Sequence, residues 1–210
     1  MLHKSSGVCL LATMLAAVAV QANPLNIIAD PGFESAIASG YPVGAIGDGW
    51  VVAAGTGAIC NAVTFAGCGN AGPANTGSQM AFLDWSTSFN TITQTLTTVP
   101  GQTYDISYWV FDAHANSLEV MFGGSTLFNG TAPTGGNYVQ YLFSSTATSM
   151  STVLAFSGQR STSMGGTLLD DVSVTAASTP EPTGIALLST AMAAFGGFAL
   201  KRTAAGKIAK

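Results

Sequence analysis

The clearest alternation of apolar and polar positions runs from Asn90 to Val99, with Thr91, Thr93, Thr95 and Thr97 on one side and Ile92, Gln94 and Leu96 on the other. A period of two marks a half-buried β-strand. Pro100-Gly101 predicts a turn. Thr103–Asp112 then repeats the period, setting Tyr104, Ile106, Tyr108 and Val110 against Asp105, Ser107, Trp109 and Phe111. Ser117–Phe122 and a return near Thr126–Phe128 flank Gly123-Gly124, a hairpin signal. Tyr138–Phe143, Thr152–Phe156 and Thr167–Thr175 predict further strands. Short, regularly spaced strands without helical periodicity predict an all-β domain, two antiparallel sheets packed as a sandwich. Trp50 reads as a core residue, and Gly-rich Ala53–Gly77 as a long loop region.

Two longer apolar runs, one at each end, break this pattern. Val8–Val20 follows His3 and Lys4, and Val20-Gln21-Ala22 puts small residues before Asn23. That predicts a signal helix over residues 1–22, with cleavage after Ala19 as an alternative. Cys9 leaves with it. Near the other end, the 18 residues Thr183–Leu200 suit a transmembrane helix, which needs roughly 17–25. Lys201 and Arg202 open a basic tail, 201–210, that would stay cytoplasmic. Before the span, the linker 177–182 carries Pro180-Glu181-Pro182, whose prolines cannot continue a helix and favour an extended strip. The sandwich domain is left as residues 23–176.

The Pro180-Glu181-Pro182 motif, the single span and the short basic end, in that order, resemble the PEP-CTERM sorting signal of Gram-negative bacteria over about residues 179–202. The departure is a basic cluster of only two residues, followed by a tail to Lys210. The resemblance implies recognition by an exosortase-type membrane protease. It also implies a transient inner-membrane anchor, then a place on the cell surface or outside the cell.

Charge narrows the partners. Arg160 is the one basic side chain from Asn23 to Thr179, against nine acidic ones: a net charge of −8 where the whole chain carries −4. Such a domain does not neutralise phosphates, which excludes nucleic acid and disfavours anionic lipid. Neutral glycans and divalent cations stay open. Cys60 and Cys68 read as a disulfide closing a small loop in an oxidising compartment, against two free thiols, and neither has a histidine nearby for a zinc site.

Three segments carry a second resemblance: Asn26-Ile27-Ile28-Ala29-Asp30-Pro31-Gly32-Phe33-Glu34, Pro100–Trp109 and Leu168-Leu169-Asp170-Asp171-Val172-Ser173-Val174. In that order they resemble the galactose-binding-like jelly rolls of carbohydrate-binding modules, over about residues 25–176. The likeness implies a structural calcium ion between the first and last strands, with Glu34 and either Asp170 or Asp171 as side-chain ligands. Calcium takes six to eight oxygens, so carboxylates and backbone carbonyls suit it. Neighbours on one strand point to opposite faces, so one of the two aspartates is expected at the site.

For a glycan, aromatic faces and a few polar groups are required. Candidates are Trp85 with Asp84, Trp109, Phe111 with Asp112, and Tyr141. Catalysis has less support: His114 is the one histidine of the domain, and no nucleophile-elbow pattern accompanies it. Gly44–Gly49 imitates a dinucleotide loop without the strand-to-helix context. The expectation is an exported, non-enzymatic surface or matrix protein that binds exopolysaccharide or another neutral glycan, or associates with itself in biofilm. The alternative is a secreted hydrolase acting on polysaccharide.

Overall fold

Isolated strands bury nothing; they need a second sheet to cover their apolar sides. The computed structural model supplies two sheets and describes residues 24–35, 44–56, 58–62, 72–83, 87–112, 114–161 and 166–178. Its strands are β1 (Gly44–Gly47), β2 (Trp50–Ala54), β3 (Ala58–Asn61), β4 (Gln79–Phe82), β5 (Asn90–Thr97), β6 (Thr103–Phe111), β7 (Ser117–Phe122), β8 (Ser125–Thr131), β9 (Val139–Thr146), β10 (Ser151–Gln159) and β11 (Leu168–Ala176). One sheet runs β1-β2-β5-β10-β7-β8 and the other β3-β4-β11-β6-β9. Neighbouring strands are antiparallel throughout. This is the all-β, two-sheet sandwich that the alternation predicts, and no helix occurs among the described residues.

The two clearest sequence patterns behave as read. Ile92, Gln94 and Leu96 of β5 face inward while its threonines line the outer side, and Tyr104, Ile106, Tyr108 and Val110 of β6 are buried. Between the sheets, Trp50, Phe33, Tyr108, Phe122 and Phe156 are the bulkiest fully buried side chains. Trp50 sits 5.1 Å from Phe33 and 6.2 Å from Phe156, ring centre to centre. Its Nε1 donates to the Asp30 carbonyl at 3.1 Å, which fixes the entry segment onto the core. The hairpin β7–β8 turns through Gly123 and Gly124, both at positive φ, where a side chain would be strained.

Two expectations need correction. Ala53–Gly77 is not one long loop: it holds the end of β2 and all of β3, and β4 follows directly after it. These strands are only four or five residues long, too short to offer an alternation to read. The second correction concerns Asp170 and Asp171, which do not simply face opposite ways. A β-bulge lies between Asp170 and Ser173, and Asp171 takes a φ of 47°. The bulge inserts an extra residue and re-aims the side chains around it.

The described residues all lie in one unit, Pro24–Ser178. The signal helix, Pro180-Glu181-Pro182, the apolar span and Lys201-Arg202 lie outside them, as do Cys68, Asp84 and Trp85.

Candidate functional site

The candidate face begins with the residues that β6 points away from the core. Across the sheet they fall into rows set by register. Thr175, Asp105 and Ser144 form the first row, then Ser173, Ser107 and Leu142, then Asp170, Trp109 and Gln140, with Leu168 beside Phe111 as the last. At about 3.4 Å per residue, Asp105 to Trp109 spans roughly 14 Å, room for an oligosaccharide rather than one sugar.

The first two rows enclose a shallow depression of about 360 Å³, lined by Asp105, Ser107, Leu142, Ser144, Ser173 and Thr175. Ser144 donates to Asp105 at 2.6 Å, and Leu142 is 71% exposed beside them. Four hydroxyls, one carboxylate and one aliphatic side chain can accept and donate to ring hydroxyls while a C–H face rests on Leu142. Trp109, half-buried, continues the same face one row on. Of the other aromatic candidates, Phe111 packs over a small apolar cluster and Tyr141 stacks on Tyr108 at 5.4 Å inside the sandwich. Asp112 is buried and bound to Thr167 and to the His114 backbone. The His114 side chain is exposed.

At the apolar end of the face lies a cluster of Cys60, Met80, Phe82 and Leu168 with Phe111 and Tyr138. The segment Gly72–Gln79 crosses it as a strap. Tyr138 Oη donates to the Pro73 carbonyl at 3.0 Å. Three carboxylates then take the strap's donors. Asp170 Oδ2 accepts from Asn75 N at 2.7 Å and Thr76 N at 3.2 Å. Asp171 accepts from Asn75 Nδ2 at 2.7 Å and Thr76 Oγ1 at 2.6 Å. Glu34 Oε1 accepts from Ser78 N and Gln79 N, both at 2.8 Å. Gly77 passes so close that a Cβ there would meet Glu34 Oε1 at 2.2 Å.

The sequence reading expects Glu34 with one of the two aspartates; the structure brings all three acids to the strap, and the strap's donors Asn75, Thr76, Ser78 and Gln79 were not anticipated. A run of small polar residues carries no signal of which carboxylates it will meet. The two ends of the domain do join: Ile27 N donates to the Val174 carbonyl at 2.9 Å, and Val172 N to that of Pro31 at 2.8 Å.

Whether this cluster suits calcium is a question of oxygens. Asp170 Oδ1 and Asp171 Oδ1 both lie 3.6 Å from where a Cβ on Gly32 would stand, so the bulge does bring both aspartates to one place. Asp170 is fully buried, and burial together with the Asp171 charge pushes its carboxyl up to about 7 from 3.8, despite N–H groups that lower it. Gln79 Oε1 is a buried acceptor without a donor, while its Nε2 holds the Glu34 carbonyl at 2.7 Å. Among the described residues, no three His, Cys, Asp or Glu side chains make a metal cage on their own. A cation here would need neutral oxygens as well, and Gln79 Oε1 and the carbonyls of the 30–34 turn are of that kind. These oxygens are the atom type a hard cation such as calcium takes, and in this structure each carboxylate oxygen accepts from a protein donor.

No family model matches the chain, and no curated relative does. Among solved structures, a family 61 carbohydrate-binding module in complex with β-1,4-galactotriose is similar at 12% identity and a TM-score of 0.51, covering 73% of this chain and 99% of that one. The CBM22-1 xylan-binding domain of Paenibacillus barcinonensis Xyn10C is similar at 15% identity and a TM-score of 0.50, over 76% and 99%. The tandem domain of the same protein gives 17% identity and a TM-score of 0.50, over 79% and 50%. At these identities the likeness is one of fold: this chain has the jelly-roll sandwich of carbohydrate-binding modules.

Proposed function

We propose that this chain is an exported, non-catalytic glycan-binding protein whose ligand lies along the outer face of β11, β6 and β9. The observation that carries the reading is the pairing of an exposed oxygen-lined depression with Trp109 on one continuous sheet face. The ligand class is a neutral oligosaccharide or exopolysaccharide, because the face offers carboxylate and hydroxyl oxygens and no cation. Trp109 is the stacking residue; Asp105 and Ser144 orient ring hydroxyls; Leu142 meets a C–H face.

Calcium is part of the proposal. Asp170, Asp171 and Glu34 would hold it with Gln79 Oε1, and when bound the ion supplies positive charge that offsets two adjacent aspartates. Support comes from the approach of Asp170 Oδ1 and Asp171 Oδ1 to one point beside Gly32 and from the raised carboxyl of buried Asp170 next to the Asp171 charge. The protein's own residues tie the strap to the sheet; the cation would stiffen that tie and so hold the apolar end of the binding face in shape.

Export and sorting rest on the sequence: a signal segment, then Pro180-Glu181-Pro182 with a span and basic end suited to an exosortase-type protease. The destination we infer is the cell surface or the extracellular matrix. Cys60, buried on β3, pairs in this reading with Cys68.

Titration of the full-length chain with neutral oligosaccharides, run beside a hydrolysis assay, tests the reading. Saturable binding without turnover is expected. Trp109→Ala should weaken it about tenfold, roughly 1.4 kcal/mol, with the melting curve kept. Turnover of the oligosaccharide would overturn the reading and favour the hydrolase alternative.

A further inference from the structure

A second region stands apart from the sheet face, at the end of the sandwich where β10 stops and β7 starts. Pairing of β10 with β7 ends at Gln159 opposite Ser117, and Arg160 and Asn116 are the next residues out on these two neighbouring strands. Asn116 is fully buried. Its Oδ1 accepts from Ser161 N at 2.9 Å and Ser161 Oγ at 3.2 Å. A backbone N–H can bond only to the oxygen of the amide, so the orientation of this side chain is determined by its partner. Its Nδ2 is then turned the other way, and it is buried with no acceptor.

Arg160 repeats the situation. Its Nε is buried and has no hydrogen-bond partner, although the guanidinium is the one cation of a domain with nine acids. The acid at this same end does not serve it. Asp112 Oδ1 accepts from His114 N at 2.5 Å and Oδ2 from Thr167 Oγ1 at 2.6 Å. Ser161 Oγ, for its part, lies 3.3 Å from the His114 carbonyl.

A buried donor left without an acceptor bears its full desolvation cost, and more so when it is charged. Two such donors at the same end of paired strands, with the local carboxylate already engaged, describe a place lacking one acceptor-rich, negatively charged group. A guanidinium presents its N–H groups as a planar fork that matches a carboxylate in two parallel bonds.

We infer that Arg160 and Asn116 form a carboxylate-binding subsite that takes a single uronic-acid residue, at a branch or end of an otherwise neutral glycan. The saccharide part of this inference rests on the glycan-binding reading; the site and the charge preference do not. A single uronate is specified because the net charge of −8 opposes a polyanion. The region also lies away from the Asp105–Ser144 depression, so the two sites can be tested apart.

The experiment uses the full-length chain and three probes: xylotriose, xylotriose bearing one glucuronic acid branch, and the methyl ester of that branched sugar. The ester keeps the sugar and removes the charge. The acid should bind about tenfold or more tighter than the ester, since a charge-assisted hydrogen bond contributes roughly 1.5–3 kcal/mol. Arg160→Gln should erase that advantage and leave xylotriose binding as it was. Arg160→Lys, which keeps charge but not the fork, should retain part of it; it also serves if Arg160→Gln fails to fold. Equal affinity for acid and ester, or an acid preference unmoved by either variant, overturns the subsite even where xylotriose still binds. Loss of xylotriose binding by the unmodified chain, with the acid preference intact, instead counts against the sheet-face site and supports this one.

Discussion

The charge on Asp170 is the feature whose removal is most informative. Asp170 is fully buried beside Asp171, and its carboxyl stands at about 7 instead of 3.8. Because the folded-state value is raised, stability from this group is fully present below 3.8 and is lost as pH climbs toward and through about 7. A rise of about three units corresponds to about 4 kcal/mol when complete. Between pH 5 and pH 8 the share lost is roughly 2–3 kcal/mol, because part has gone by pH 5. In a domain of this size that lowers the melting temperature by roughly 5–10 °C. The assay is thermal unfolding in chelator at pH 5 and pH 8, followed by the same scans with calcium. Calcium should remove most of the difference, since a cation offsets the charge that burial penalises. Asp170→Asn keeps an oxygen for Asn75 N and Thr76 N, gives up the one that accepts from Asp171 N at 2.8 Å, and carries no charge, the last being the larger effect at pH 8. It should therefore be more stable than the unmodified protein at pH 8 in chelator, lack the pH slope, and lose the calcium response. Equal midpoints at the two pH values in chelator, or an Asp170→Asn protein less stable at pH 8, would refute the reasoning.

Other outcomes follow from the same geometry. Glu34→Ala leaves the N–H groups of Ser78 and Gln79 to water, costing about 1 kcal/mol because Glu34 is exposed, and should speed amide exchange in the strap selectively. Exchange rates unchanged at those two amides would count against the strap's dependence on Glu34. Gly77→Ala should loosen the same strap more severely, as a methyl there collides with Glu34 and φ is +62°. The intact mass of the exported protein should rise by two hydrogens on reduction, and Cys60→Ser should abolish that change. Surface-fraction protein should lack residues 183–210, checked by mass spectrometry, with Glu181→Ala holding the chain in the inner membrane; an intact Lys210 terminus on surface protein would refute sorting at the motif.

The alternation at Asn90–Val99 and Thr103–Asp112 was sufficient to identify strands and their buried sides, because a period of two is a local property of the chain. Composition was sufficient too for the lone cation of the domain, Arg160, and for its acidic balance. The opening and closing segments were legible as partners, and Ile27 N does reach the Val174 carbonyl. Strands β2 to β4 were not legible: runs of four or five residues form ladders there because β5 and β11 supply the other half. The bulge after Asp170 was equally hidden, since an extra residue in one strand is defined only against its partner β6. That bulge decides that both aspartates, not one, meet the strap. The orphaned donors of Asn116 and Arg160 could not be read either. A hydrogen bond that is missing is a fact about surroundings, and those come from residues far apart in the chain. Local pattern set which residues are inside; the pairing of distant strands set what the remaining polar groups can reach.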